Sequence, residues 1–242
     1  INIKTDKKTN IMSLEPINQV KLFELGNDLI NLVKLFETNK LPNKILLSGR
    51  KGIGKSTLAY HLINYILSKN EKKSYNLNKF EIDPENISFK LINNKTSLNF
   101  KLLDLEIDKK NINIDQIRNL INELNKSSFN SKPRIVLIDN IEFLNINSIN
   151  ALLKILEEPN DNIFFILINN NKKILPTLRS RCLDFKITLS NFESMNIINN
   201  LLEDNVRNFI NEEFMNYYFS PGNIYKLCLF AKKNNIDLKN EN

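Results

Sequence analysis

Tryptophan is absent from this chain of 242 residues, histidine occurs once and cysteine twice. The two cysteines, Cys182 and Cys228, cannot supply a tetrahedral zinc set by themselves, and they imply no disulfide framework in a chain of this size. No zinc is therefore expected, and a reducing cytoplasm is the compartment that fits. Long apolar runs are also missing: none approaches the roughly 20 residues that cross a bilayer, so no membrane partner is expected. The start lacks a charged-then-apolar secretory leader. It also lacks Met, since residue 1 is Ile, which leaves open a fragment or a true start at Met12.

What is present is an ordinary soluble balance, 42% hydrophobic and 25% charged, with a formal net charge of +7. A positive excess favours an anionic partner such as DNA. Here Asn, Lys and Ile are over-used along the whole chain, so charge alone carries that inference only weakly.

Apolar spacing at Val20, Phe23, Leu29, Leu32, Val33 and Phe36 predicts an amphipathic helix over 17–39, broken at Leu41-Pro42-Asn43. Ile45–Leu47 predicts a buried strand ending at Gly49, and a second helix follows from Lys55 to about Leu67. Residues 68–100 are polar and give no clear assignment. Further strands are expected at Leu103–Ile107, Arg134–Asp139, Ile163–Ile168 and Leu183–Ile187. Helices are expected around Ile114–Leu124 and Ile149–Leu156, the latter stopped by Pro159, and everything from Asn191 onward reads as helical. Alternating strands and helices, most strands apolar on both faces, predict an α/β fold with a parallel sheet flanked by helices. The expected division is a flexible arm over 1–15, a P-loop core over 16–188 and a small all-helical lid over 189–242.

Glycine is scarce, five in all, yet three stand in the eight residues Gly49-Arg50-Lys51-Gly52-Ile53-Gly54-Lys55-Ser56. This is a complete G-x-x-x-x-G-K-[ST] pattern between a predicted strand and a predicted helix, the context that phosphate binding needs. Glycines let the backbone approach phosphates without a Cβ in the way, and the loop N–H groups with the helix N-terminus form an anion nest. The expected nucleotide-binding set is Gly49, Gly52, Ile53, Gly54, Lys55, Ser56 and Thr57. Lys55 is expected on the β- and γ-phosphates, with Ser56 and Asp139 serving Mg²⁺. Asp139 ends the apolar run Ile135–Ile138, which places a carboxylate at the carboxyl end of a buried strand.

Three further segments carry a family signal: Ile114-Asp115-Gln116-Ile117-Arg118, the helix Asn150-Ala151-Leu152-Leu153-Lys154-Ile155-Leu156-Glu157-Glu158-Pro159, and Ser180-Arg181-Cys182 after the IFFILI strand. With the glycine loop, and in this order, they resemble from about residue 20 to 190 the AAA+ clamp-loader subunits of bacterial DNA polymerase III, of the delta-prime class. The resemblance implies ATP or ADP with Mg²⁺ as ligand. It also implies partnership with gamma/tau and delta subunits, a sliding clamp, and primer–template DNA reached through the complex. It gives Arg181 the role of an arginine finger offered to ATP on a neighbouring subunit, and Asn169 that of a polar sensor.

The chain departs from that pattern in four places. Asn140 follows Asp139 where the family usually has a glutamate base, and Glu142 is expected to point elsewhere. Asn223, in Ser220-Pro221-Gly222-Asn223, stands where a lid arginine is expected. The family's four zinc-binding cysteines and its C-terminal collar domain have no counterpart in the sequence. The two amides favour a subunit that hydrolyses ATP poorly, over an autonomous gamma/tau-type motor. A small-molecule P-loop kinase is a third reading; it is disfavoured because only Arg118 and Arg134 lie between the glycine loop and the Asp139 strand. Glu157 and Glu158 close their helix with acids that oppose its dipole, a local conflict of the kind found at functional or interface sites.

Overall fold

The computed structural model describes residues 15–106, 108–125, 130–157, 162–218 and 220–239. Most of the expected N-terminal arm, together with Ile107, Glu158 and Pro159, lies outside the described residues.

Five strands, β1 (Lys44–Ser48), β2 (Phe100–Leu103), β3 (Arg134–Ile138), β4 (Ile163–Asn169) and β5 (Leu183–Lys186), form one sheet in the order β2-β3-β4-β1-β5. Every pairing is parallel, with Leu46 opposite Leu167 and Asp184, and Ile138 opposite Leu167 and Leu103. Successive strand side chains point to opposite faces, and the apolar runs use both. Ile45, Leu47, Ile135, Leu137, Ile166 and Ile168 join one buried cluster, with α1 (Gly26–Glu37) and α2 (Lys55–Ser68). Leu46, Val136, Ile138, Phe165 and Leu167 join a second cluster, with α4 (Ile114–Leu124) and α5 (Ile146–Glu157). The expected parallel sheet with helices on both faces is thus the observed architecture.

The ends of the elements follow local chemistry. Asn113 and Gln116 form a reciprocal capping box that starts α4, and Ser190 with Glu193 does the same for α7 (Asn191–Leu202). The short helix α6 (Pro176–Arg179) and the long α9 (Pro221–Asn234) both begin with proline, whose missing N–H costs nothing there. The described residues from Ser190 on form three helices, α7, α8 (Glu212–Tyr218) and α9, with one 3₁₀ turn and a single parallel bridge between Ile210 and Leu238. Ile198, Val206, Ile210, Ile224, Cys228, Ala231 and Leu238 form their own buried cluster there.

Two expectations needed correction, and one open stretch receives an assignment. The first helix starts at Gly26, not 17, because the residues before it bond to a distant segment, Leu22 N donating to Phe80 O and Ile82 N to Val20 O, and then turn at Glu24, whose φ is 60°. Strand β2 ends at Leu103 instead of beginning there, with Phe100 paired to Ile135. The unassigned polar stretch contains α3 (Ile87–Asn93), whose N-cap Asn86 accepts from Phe89 N. Among the described residues no helix is long and apolar enough to cross a membrane.

Candidate functional site

The carboxyl ends of β1, β3 and β4 meet at the start of α2, and a cavity of about 270 Å³ opens there. Parallel sheets bind ligands in this crevice. Its walls are Gly52, Ile53, Gly54, Lys55, Ser56 and Thr57 from the loop after β1, Asp139 and Asn140 after β3, and Asn170 after β4. The segment before α1, including Gln19, Lys21, Leu22, Phe23 and Leu25, and residues of α7 and α9 close the remaining sides, including Ile197, Leu201, Gly222, Asn223 and Lys226.

The loop conformation explains its glycines. Gly52 and Gly54 adopt φ of +84° and +95°, in the left-handed region that glycine enters without a Cβ penalty. Gly49, at φ +154°, lies so close to the residue that follows β5 that an added Cβ would meet Ile187 O at 2.5 Å. Gly49→Ala is therefore expected to cost about 2–4 kcal/mol of folding stability, read as a shift in urea midpoint. A shift below about 0.5 kcal/mol would mean that the Ile187 carbonyl yields.

Lys55 begins α2, is 3% exposed, and donates to Gly49 O at 3.0 Å, Arg50 O at 2.6 Å and Asn170 Oδ1 at 3.0 Å. All three partners are neutral, so its ammonium is buried without a paired carboxylate, and burial pulls its pKa down to about 8 against the smaller opposing pull of Asp139 and Glu142. A cation in that state favours an incoming anion. Ser56 Oγ donates to Asp139 Oδ2 at 2.6 Å, and Asn140 N donates to Asp139 Oδ1 at 2.7 Å. Burial raises Asp139 above the usual carboxylate range, and the Ser56 and Asn140 bonds oppose that rise. A hydroxyl in contact with a carboxylate supplies the hard oxygen donors that Mg²⁺ prefers. The glycine cradle, the lysine lacking a counter-charge and this oxygen pair together fit a magnesium-bound nucleotide.

Two residues behave differently from expectation. Asn169 ends β4 buried, but its carboxamide closes a local turn, donating to Lys172 O at 2.9 Å and accepting from Lys172 N at 3.1 Å. The amide that faces Lys55 belongs to Asn170. Its Nδ2 donates to Asn140 Oδ1 at 2.8 Å and to Glu142 Oε1 at 3.0 Å. Glu142, expected to point away, is instead turned toward the site and also accepts from Asn170 N at 3.3 Å. Asn140 stands at φ 55° and donates to Asp104 Oδ1 at 2.8 Å, so Asp104 joins the same network from the end of β2. Neither Asn170 nor Asp104 carries a motif signal; only the register of β4 and β2 identifies them.

Arg181 makes its hydrogen bonds away from this cradle. Its Nε and Nη2 donate to Glu157 Oε1 at 2.9 and 2.5 Å, and its Nη1 donates to Thr177 O at 2.8 Å. The acid at the end of α5 that opposed the helix dipole therefore holds this guanidinium. Cys182 packs against the second cluster, and Cys228 is buried in the third; burial pushes both thiols up to about 11. Arg118 pairs with Asp115, and Arg134 donates to the carbonyls of Leu124 and Glu123, so both sit at α4 and neither lines the cavity.

The profile of the family described as "DNA polymerase III, delta subunit" matches residues 26–191. A DNA polymerase III subunit gamma of Buchnera aphidicola (from Schizaphis graminum) is 32% identical over 214 residues, covering 85% of this chain and 56% of that protein. A DNA polymerase III subunit delta' of Pseudomonas aeruginosa is 31% identical over 138 residues, 57% of this chain and 40% of that one. This chain thus spans about half the length of such relatives. Among solved structures, a gamma-subunit-related protein of Thermotoga maritima superposes with a TM-score of 0.51 at 19% identity, over 84% of this chain and 57% of that one, a likeness of fold. By sequence profile, sheet order and phosphate loop, the chain belongs to the DNA polymerase III delta-subunit family of AAA+ clamp-loader proteins.

Proposed function

We propose that this chain is a non-motor, delta-prime-like subunit of the DNA polymerase III clamp loader, an accessory subunit of the holoenzyme acting in the cytoplasm. It binds ATP or ADP with Mg²⁺ in the cavity at α2 but hydrolyses ATP poorly, and it offers Arg181 to a nucleotide on a neighbouring subunit. Its partners are the gamma/tau and delta subunits and, through the complex, the sliding clamp and primer–template DNA. Residues 16–188 form the nucleotide-binding core, and 189–242 act as its helical lid.

The observation that carries this reading is Asn140. A carboxamide cannot take a proton from an attacking water, and this one is already spent on Asp104 and Asn170. The chain's own residues can hold phosphate (the loop amides and Lys55) and hold the metal (Ser56 and Asp139), but the position after Asp139 supplies no base. Asn169 remains the resemblance's sensor position, with Asn170 beside it as the amide in contact with Lys55.

The gamma-named relatives favour a second reading, an autonomous motor of gamma/tau type. Turnover by the isolated chain separates the two. With an amide in the position after Asp139, the site is expected to run on the order of 10⁻³ s⁻¹ or slower. Brisk hydrolysis that Lys55→Ala abolishes would establish the motor instead. Co-purification with gamma/tau and delta subunits tests the assembly, and failure of all three to associate would reject it.

A further inference from the structure

We infer that Glu142 is a positioning residue that sets the nucleotide preference of the site. It holds the donor end of the Asn170 carboxamide away from the phosphates, so that the chain takes ADP and ATP about equally. This inference rests on the nucleotide reading given above. Asn170 and Asn140 line the cavity, whereas Glu142 is not among its walls and acts through Asn170.

The hydrogen bonds behind the cavity run in one direction. Lys55 Nζ donates to Asn170 Oδ1 at 3.0 Å, Asn170 Nδ2 to Asn140 Oδ1 at 2.8 Å, and Asn140 Nδ2 to Asp104 Oδ1 at 2.8 Å. Glu142 grips Asn170 at two points: Oε1 accepts from its Nδ2 at 3.0 Å, and Oε2 from its main-chain N at 3.3 Å. Both ends impose the same orientation on this amide, because an ammonium only donates and a carboxylate only accepts. Each hydrogen of Asn170 Nδ2 thus has an acceptor, and the atom it turns to Lys55 is its oxygen. Phosphate oxygens are acceptors too, so an amide can meet them only through its nitrogen. Turning this one over would set its oxygen against those of Glu142 and Asn140 and leave both without a donor, which is costly in a half-buried network. In that state Asn170 adds nothing for the one phosphate by which ATP exceeds ADP.

The test measures, by titration calorimetry with Mg²⁺, the affinities of the whole chain for ADP and for the non-hydrolysable β,γ-imido analogue of ATP. The wild-type ratio is expected to lie within about threefold, less than one charge-assisted hydrogen bond is worth, and it needs no variant to be read. Glu142→Ala gives Asn170 a free N–H and is expected to shift the ratio about tenfold toward the ATP analogue. Adding Asn170→Ala is expected to cancel that shift. Glu142→Gln removes the charge but keeps an acceptor for Asn170, and is expected to stay near the wild-type ratio. Four outcomes overturn the proposal while leaving the nucleotide reading intact: a wild-type preference for the ATP analogue beyond that range, an unshifted ratio in Glu142→Ala, a shift that survives Asn170→Ala, or an equal shift in Glu142→Gln, which would assign the effect to charge alone. A wild-type chain that binds neither probe overturns the nucleotide reading itself.

Discussion

Arg181→Ala is expected to lower DNA-stimulated ATP turnover at the neighbouring site of a reconstituted loader by about 10³-fold, the scale of trans arginine fingers. The side chain suits the role because a guanidinium stays charged at any working pH and meets phosphate oxygens through a rigid fork of donors. In this chain it is 35% exposed and, among the described residues, bonded to Glu157 and Thr177, away from its own cradle. Exposed ion pairs contribute about 0–1 kcal/mol, so the same substitution is expected to leave the chain's own melting nearly unchanged. Arg179→Ala is the control: that guanidinium is tied to Asp184 at 2.7 Å, and its removal is expected to leave turnover alone. Turnover unaffected by Arg181→Ala would reject the finger.

Lys55→Met is expected to move two measurements in opposite directions. Nucleotide affinity falls on the order of 10²-fold, because a buried charge-assisted contact to the phosphates is lost. Stability of the ligand-free chain rises by about 1–3 kcal/mol at pH 7, because the native fold holds an ammonium whose pKa burial has pulled from 10.5 to about 8. The sign follows from proton counts. Between about pH 8 and 10.5 the unfolded chain binds this proton and the folded chain does not, so wild-type stability gains as pH rises through that window. Below it the penalty is present in full. The variant should lose that gain, which urea titrations at pH 7 and 9.5 can measure. A variant less stable than wild type at pH 7 would mean that the Gly49 and Arg50 carbonyls more than offset the burial of the charge.

The strands of the sheet were readable because a strand buried on both faces must be apolar at every position, as Ile135–Ile138 and Ile163–Ile168 are. The phosphate loop was readable because its steric demands leave little choice but glycine. What failed depended on contacts distant in sequence. Val20 and Phe23 fit a helical period, but their segment is held by bonds to Phe80 and Ile82 some 60 residues away. Leu105 extends the apolar look of β2 past its true end, where pairing to β3 has already stopped. Asn169, Asn170 and Asn171 are chemically identical, and only the point where β4 stops decides which amide meets Lys55. Glu157 was recognisable as a misfit at its helix end. That its partner is Arg181, 24 residues on, was not.

The single histidine has a practical consequence. His61 is fully buried in α2, with Nδ1 at 2.8 Å from Tyr75 Oη and Nε2 at 3.1 Å from the main-chain carbonyl of Gln19, and burial holds its pKa down to about 4. Gln19 is one of the residues that line the cavity at α2. One imidazole, neutral across the working pH range and fastened to the segment that borders this cavity, gives this protein a built-in spectroscopic probe. Its ring resonances report on that wall in an otherwise unlabelled sample, with no second histidine to confuse the assignment.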